Sequence, residues 1–367
     1  MDEVQKDISS EEKKLNLLKL YELDNISSYS LRNAIIFQLL ESKELLCVIK
    51  DKKSNNYSYI IELYDLLKKE SLLTQKLQDN ICDIILLDNN DIAYFLSGGT
   101  KIEGTTLTVM KGSVEIININ NLEKKIIKCE TPELEDHSLF CDLVPLTIKD
   151  KSGVGIVFDY EIFIFLKSND EEKYENFKKI ENFGTLSDYY IYKNYFVSYG
   201  FEEFNYYNMD KNFEIKTYDK SDSQQFNIKT WNLYQNSQMK VQINDNIFIY
   251  PLKKQILFFD ADKCEALNIL EIKGNEFNIN CEFLIKQILY LNDYLLLLIE
   301  IPSNNSSKLI KYSIDLASLN LKYIGNINLG NFQKNDITFQ KNKLYIIKKG
   351  NNEKDKNEKL QIYDIDI

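Results

Sequence analysis

The chain holds one histidine, and it stands between two cysteines in CETPELEDHSLFC, so Cys129, His137 and Cys141 offer thiolate and imidazole ligands of the kind that hold zinc. The C-x7-H-x3-C spacing is not that of a zinc finger, the fourth ligand would have to be Glu135 or Asp142, and Cys141 falls inside the apolar run LFCDLV. The expectation is therefore no metal and no cofactor. His137 would also have to be the base in any Ser-His or Cys-His pair, yet Glu135 and Asp136 beside it mark a solvated loop, and no G-x-S-x-G is present. Gly98, Gly99 and Thr100 could open a phosphate cradle only ahead of a helix, and the flanking residues read as strands, so a hairpin turn is expected there. DNND at 88–91 has oxygen ligands but not the spaced acids and closing Glu of a calcium loop. These residues assign no catalytic group.

The other chemistry on offer is recognition. Between 189 and 218 aromatic residues crowd the chain, with Tyr189, Tyr190, Tyr192, Tyr195, Tyr206 and Tyr207 among them and Glu202 and Glu203 alongside. Strict alternation along a strand would bury only half of these rings. Exposed aromatics give large contact area for few rotors, which is why they concentrate at protein interfaces. Those eight residues are the candidate partner surface, with the acidic stretch 170–175 as a candidate polar rim. The competing reading is that Tyr replaces other large residues between blades, its hydroxyls reaching solvent, because a chain rich in Lys, Asn, Ile and Tyr and poor in Arg, Ala and Gly carries the mark of codon bias.

The elements that position these residues repeat. Apolar strands begin at 43, 91, 154, 195, 246, 294 and 343, a spacing of roughly 50 residues, with one long step after 91. The insertion SGGTKIEGTTLTVMKGS (97–113) accounts for that step and contains a strand of its own, a longer hairpin. A second strand follows in most units and ends in Asp or Asn beside an apolar residue, as in IIELYDLL, FNYYNMDKN, QILFFDADK, LIKYSIDLA and LQIYDIDI, where the acid or amide opens a tight turn by accepting backbone N–H groups ahead of it. The third unit, YEIFIFLKSNDEEKYENF, has a longer, charged turn. The last unit reaches Ile367 after its third strand, so residues 13–24 are expected to supply its outer strand; the same stretch also has helical spacing at Leu15, Leu18 and Glu22.

This pattern resembles a β-propeller of the WD-repeat-like type over residues 15–367, the Asp-bearing turn being the shared motif. The Gly-His and Trp-Asp dipeptides are absent, and Trp231 is the sole tryptophan. The expected fold is all-β, a single seven-bladed propeller domain over 1–367, its last blade closed by an N-terminal strand, with 1–12 as a flexible tail. The resemblance implies a non-catalytic scaffold that binds protein or peptide partners as a subunit of a larger hetero-complex rather than a homo-oligomer. The alternative is a propeller enzyme with carboxylates near the central channel, and a third reading is a small-molecule or lipid-headgroup binder.

Composition narrows the classes. A formal charge of −11 and a single arginine, Arg32, oppose nucleic-acid binding, which draws on clustered arginine and a basic face. The same charge opposes attraction to anionic membranes. The longest apolar stretch, Tyr294–Ile301, is far short of the roughly 20 residues of a membrane span, and the acidic start MDEVQKDISSEEKK lacks the apolar core of a secretory signal. The six cysteines are scattered and mostly lie inside apolar strands, so a reducing, cytoplasmic setting with free thiols is expected. Thiol titration of denatured, unreduced protein should then return six groups per chain; a lower count in protein kept from oxidants would overturn the compartment assignment.

Overall fold

The structure, a computed structural model, describes residues 15–24, 35–39, 43–52, 58–65, 68, 70–77, 80–87, 91–97, 100–103, 106–109, 113–117, 126–130, 142–157, 161–168, 173–181, 188–199, 203–219, 240–331, 335–340, 343–348 and 359–366. Among these residues the strands form seven four-stranded antiparallel sheets and one two-stranded hairpin. In chain order, sheet 1 joins Ile35–Leu39, Lys43–Lys52, Ser58–Asp65 and Glu70–Leu77, and sheet 2 joins Asn80–Leu86, Ile92–Ser97, Ser113–Ile117 and Ile126–Glu130. Sheet 3 joins Asp142–Ile148, Lys151–Val157, Glu161–Lys167 and Tyr174–Glu181; sheet 4 joins Asp188–Tyr192, Tyr195–Tyr199, Glu203–Asn208 and Glu214–Asp219. Sheet 5 joins Val241–Gln242, Ile247–Leu252, Gln255–Asp260 and Glu265–Glu271; sheet 6 joins Leu284–Leu291, Tyr294–Ile301, Ser306–Asp315 and Asn320–Asn331. Sheet 7 runs Asn335–Gln340, Lys343–Lys348, Lys359–Asp366 and, outermost, Asn16–Asp24. The insertion in sheet 2 forms its own hairpin, Thr100–Glu103 against Thr106–Val109.

The first strands of neighbouring sheets touch one another, from sheet 1 to 2, 2 to 3, 5 to 6 and 6 to 7, so these strands line the inside of the arrangement and the fourth strands its rim. Between consecutive sheets lie apolar seams. Ile61, Leu63, Ile84 and Tyr94 fill the seam of sheets 1 and 2, and Phe95, Val114, Leu143 and Phe163 that of sheets 2 and 3. Ile164, Phe196 and Tyr207 join sheets 3 and 4; Val197, Tyr206, Phe248 and Phe259 join sheets 4 and 5. Leu295 and Leu297 face sheet 5, while Leu296 and Leu298, their neighbours in the same strand, face sheet 7. A strand covered on both faces has no polar side to show, which is why YLLLLIEI is an unbroken apolar run instead of an alternation.

The turn chemistry predicted from the repeat is present. After the third strand of sheet 1, Asp65 Oδ1 accepts the Lys68 N–H at 3.0 Å. Asn208 Oδ1 accepts from Asp210 and Lys211 in sheet 4, both at 3.1 Å, and Asp260 Oδ1 from Asp262 at 2.9 Å and Lys263 at 3.1 Å in sheet 5. In sheet 6 Asp315 Oδ1 accepts the Ala317 N–H at 3.0 Å, and its Oδ2 accepts the Ser318 hydroxyl at 2.6 Å, contacts that hold its carboxyl below the usual range, the hydroxyl foremost. Sheet 3 lacks the acid and closes a wider turn, with the Ser168 N–H on the Lys173 carbonyl.

The stretch at 16–24 is a strand, and the helical alternative is wrong. It pairs antiparallel with Lys359–Asp366, Leu17 opposite Ile365 and Leu23 opposite Leu360, with a bulge at Leu20. Glu22 fixes the register: it accepts from Gln361 Nε2 at 2.9 Å and from Lys359 Nζ at 3.3 Å, and pairs with Lys19. Leu15 and Leu17 pack on the seam of sheets 6 and 7, while Leu18 points outward and is 54% exposed. Residues 1–14 lie outside the described residues. Leu17→Asp should therefore destabilise the chain by about 2 kcal/mol or more, by setting a charge against an apolar seam, whereas Leu18→Asp should stay within about 0.5 kcal/mol. Urea unfolding of both variants checks this; equal effects would contradict the strand and its orientation.

Candidate functional site

The aromatic cluster of sheet 4 resolves onto both faces of that sheet. Tyr192, Tyr206 and Tyr207 are buried at 2%, 4% and 3% exposure. Tyr207 packs in the seam with sheet 3, beside Phe196, on which Tyr189 stacks at 5.5 Å between ring centroids. Tyr192 and Tyr206 pack in the seam with sheet 5, where Tyr195 meets Tyr206 edge-on at 5.9 Å and Phe248 meets Tyr192 at 5.8 Å. Tyr189 and Tyr195 are half-buried. The expectation that alternation would leave half of these rings in solvent fails for a physical reason: each face of sheet 4 has a neighbouring sheet, so both alternating sets have a partner. Tyr190 and Glu203 stand in the first and third strands, and Glu202 lies outside the described residues. The candidates do not converge on one spot. Tyr192 and Tyr195 flank the turn between the first two strands, while Glu203 opens the third strand at the opposite end of the sheet.

At the Tyr192 end a polar clamp joins sheets 4 and 5. The Tyr192 hydroxyl donates to Asp262 Oδ1 at 2.7 Å, and Lys193 Nζ donates to Asp262 Oδ1 and Oδ2 at 2.9 and 3.0 Å while lying 4.9 Å above the Tyr192 ring. The Tyr206 hydroxyl donates to the Ala261 carbonyl at 2.8 Å. Contact with the Tyr192 hydroxyl and then with Asp262 raises the Lys193 pKa; Lys193 in turn lowers that of Asp262, and desolvation raises that of Tyr192. Both carboxylate oxygens of Asp262 are engaged, so the group acts as a fastener between sheets. The Asx-type turn at Asp260 aims Asp262 toward sheet 4, and the hairpin turn at Lys193, where φ is 52°, presents the ammonium to it.

The other residues singled out for chemistry are kept apart. Thr100 opens a strand, Thr100–Glu103, that pairs with Thr106–Val109, and Gly98 and Gly99, where the turn was expected, lie outside the described residues. Cys129 stands in the outer strand of sheet 2 opposite Val114, Asp142 opens sheet 3, and Glu135, His137 and Cys141 lie outside the described residues. Among the described residues no group of three His, Cys, Asp or Glu could hold a metal, and no helix is long and apolar enough to cross a membrane. Of 88–91 only Asp91 is described. It is 1% exposed, with the Lys167 ammonium at 3.4 Å and the Tyr174 hydroxyl at 3.3 Å from its Oδ2, a contact between sheets 2 and 3.

Several buried polar groups were not singled out from sequence. Glu115, 4% exposed, accepts the Tyr94 hydroxyl at 2.6 Å on the sheet 1 side of sheet 2. Lys311 is fully buried in sheet 6, its ammonium 3.8 Å from the Tyr294 ring centroid. Asp83, in the innermost strand of sheet 2, accepts the Ile84 N–H on Oδ1 at 2.8 Å and the Leu143 N–H of sheet 3 on Oδ2 at 2.7 Å. A signal was available for one of them: Asp83 interrupts the otherwise apolar run ICDIIL, and an acid in such a run needs buried donors. Lys311 gave none, since its place in KLIKYSIDL fits an outward-facing position of an alternating strand.

No known protein family and no curated protein sequence matches this chain. Solved structures do. A chain in the crystal structure of the Mitotic Checkpoint Complex superposes with a TM-score of 0.56 at 9% identity, over 97% of this chain and 98% of that one. The WD40 domain of SCAP from fission yeast matches at 9% identity with a TM-score of 0.44, over 95% and 91%. At such identities the likeness concerns the fold, and together with the seven sheets, their seams and their Asp-bearing turns it makes this chain an all-β propeller of the WD-repeat-like type.

Proposed function

We propose that the chain is a non-catalytic scaffold, a subunit of a larger intracellular assembly that presents its loops to protein or peptide partners. The observation that supports this most directly is how its polar chemistry is used. The Asp and Asn side chains at the described turns accept backbone N–H groups of their own turns, and the Tyr192–Lys193–Asp262 clamp spends its charges on holding two sheets together. Such groups stiffen a platform. The match over almost the whole length of a chain from a crystallised complex is in keeping with a propeller that works among partners, although it speaks for the fold alone.

The partner surface proposed for sheet 4 draws on Glu202 and Glu203 with the half-buried Tyr189, whose strand position lies toward the same end of the sheet as Glu203, and leaves out Tyr195 at the far end. The acids at this surface and the net charge of −11 fit a partner segment carrying lysine or arginine.

Purification from the native source, with identification of co-eluting chains, tests the scaffold reading. A constant partner at fixed stoichiometry is the expected result, and a lone monomer that turns over a small molecule would replace this reading with an enzyme. Substitutions separate surface from core. Glu202→Lys with Glu203→Lys should weaken capture of the co-purified partner by tenfold or more and leave unfolding within about 0.5 kcal/mol of the parent. Tyr206→Phe, which removes a buried hydroxyl donor, should cost about 1 kcal/mol of stability with capture by the folded protein unchanged.

A further inference from the structure

Two first strands carry the same local device. In sheet 2 the register slips between Ile81 and Asp83, so Cys82 is the extra residue of a β-bulge and Asp83 follows it; in sheet 6 the register slips between Ile285 and Gln287, so Lys286 is the extra residue and Gln287 follows. In each case the residue after the bulge reaches the first strand of the next sheet. Asp83 Oδ2 accepts the Leu143 N–H of sheet 3 at 2.7 Å. Gln287 Oε1 accepts the Phe339 N–H of sheet 7 at 2.8 Å and the Thr338 hydroxyl at 3.0 Å. The segments align as ICDIIL and IKQILY. The bulge shifts the strand by one residue, turning a polar side chain toward the neighbouring innermost strand, whose backbone donor would otherwise be unpaired. One bridge uses a neutral amide. The other uses a group that can gain a proton.

We propose that Asp83 makes the junction of sheets 2 and 3 a proton-responsive seam, with Gln287 as its pH-independent counterpart between sheets 6 and 7. An ionised carboxylate serves both N–H groups, Ile84 on one oxygen and Leu143 on the other; a protonated carboxyl turns one of these oxygens into a donor and can no longer serve both equally. Burial pushes the Asp83 pKa up to about 6, against the lowering effect of the Leu143 and Ile84 N–H bonds, and the Asp142 carboxylate on the facing strand adds to the rise. The surrounding charges are few. The facing strand Asp142–Ile148 contributes only Asp142, and the paired strand Ile92–Ser97 has no charged residue, though Asp91 just before it is engaged with Lys167 and Tyr174. On the sheet 1 side, Ile35–Leu39 has none, and Ser58–Asp65 holds Glu62 and Asp65, the latter bonded to the Lys68 N–H. No cation among these strands holds Asp83 ionised.

The sign follows from linkage. The folded protein binds this proton more tightly than the unfolded chain, whose Asp titrates near 3.8. The contribution therefore favours folding below about pH 4 and is lost as pH rises through about 6, the folded-to-unfolded ratio falling by about tenfold per pH unit and about a hundredfold in all. Other carboxylates titrate in the opposite sense, so the quantity to read is the difference from Asp83→Asn.

The test has a local and a global readout. In amide NMR spectra of the full chain between pH 4.5 and 7.5, the Leu143 and Ile84 signals should shift with a common midpoint near 6, while the Phe339 signal stays flat. Asp83→Asn should abolish the Leu143 titration, and Gln287→Glu should make Phe339 titrate. Unfolding midpoints in urea should show parent and Asp83→Asn diverging as pH rises from 4 to 7, with the variant gaining relative to the parent. A Leu143 signal that does not move in the parent, or a difference between parent and variant that is constant across this range, would overturn the proposal. Should Asp83→Asn fail to fold, the parent titration and Gln287→Glu still decide it.

Discussion

A four-stranded sheet with apolar side chains on both faces is stable in water only while something covers each face. The sheets of this chain meet that requirement by covering one another in sequence, so that no sheet owns a core. Tyr94 and Phe95 are adjacent in one strand yet belong to different seams, as are Leu295 and Leu296 in another. Backbone pairing imposes a second condition, because a sheet missing its outer strand would leave a long edge for other chains to find. Both conditions meet at sheet 7, where the strand Asn16–Asp24 completes a sheet whose other members lie more than three hundred residues away, and where Glu22 ties itself to Gln361 and Lys359. Loop-closure entropy grows only slowly with length, so the distance along the chain adds little to the cost of that pairing.

The rigidity of the ring is finished by turns that need no core. An Asp or Asn at the end of a third strand satisfies one or two N–H groups of the turn that follows, and the chain then leaves the turn through residues at positive φ, Phe213 at 63°, Cys264 at 57° and Leu319 at 52°. Non-glycine residues in that conformation are tolerated where tertiary contacts hold them. Phe213 and Cys264 are themselves buried, so here the seam pins the turn as much as the turn shapes the strand.

How far this was legible depends on the range of the interactions. The repeat, the second and third strands of the units, the Asp-bearing turns and the strand at 16–24 were readable because each rests on a local pattern of apolar residues and punctuation. The fate of the sheet 4 tyrosines was not, because alternation tells which side chains share a face and says nothing of whether that face meets water; Tyr192 and Tyr207 point opposite ways and both find a sheet. The Asp83 and Gln287 bridges were hidden for a related reason. A bulge breaks the period on which the reading relies, and the acceptor's partner, Leu143 for one and Phe339 for the other, belongs to a different repeat. Lys311 was invisible because a lysine in an alternating strand is ordinarily a solvent residue.

The seams are alike in geometry and unlike in what they bury, and that difference bears on where the ring yields. Between sheets 5 and 6 the interior is aliphatic and aromatic, and the short 3-10 turn Gly274–Phe277 drives Phe277 into it at 0% exposure, locked by Lys308 on its carbonyl and by Glu276 under the Tyr312 hydroxyl. Water entering there gains almost no polar group to solvate and exposes apolar area at about 25 cal/mol per Å². Between sheets 2 and 3, by contrast, an apolar cluster shares the seam with Asp83 and with the Asp91–Lys167–Tyr174 contact. Hydration of a carboxylate and an ammonium offsets part of the cost of parting these sheets, since burying such charges was itself unfavourable. Of these two seams, the one between sheets 2 and 3 is therefore the easier to part and the one between sheets 5 and 6 the firmer. Any partner that binds only the folded ring stabilises it by mass action; one that spans sheets 2 and 3 also opposes local parting of that seam, which one bound across sheets 5 and 6 does not.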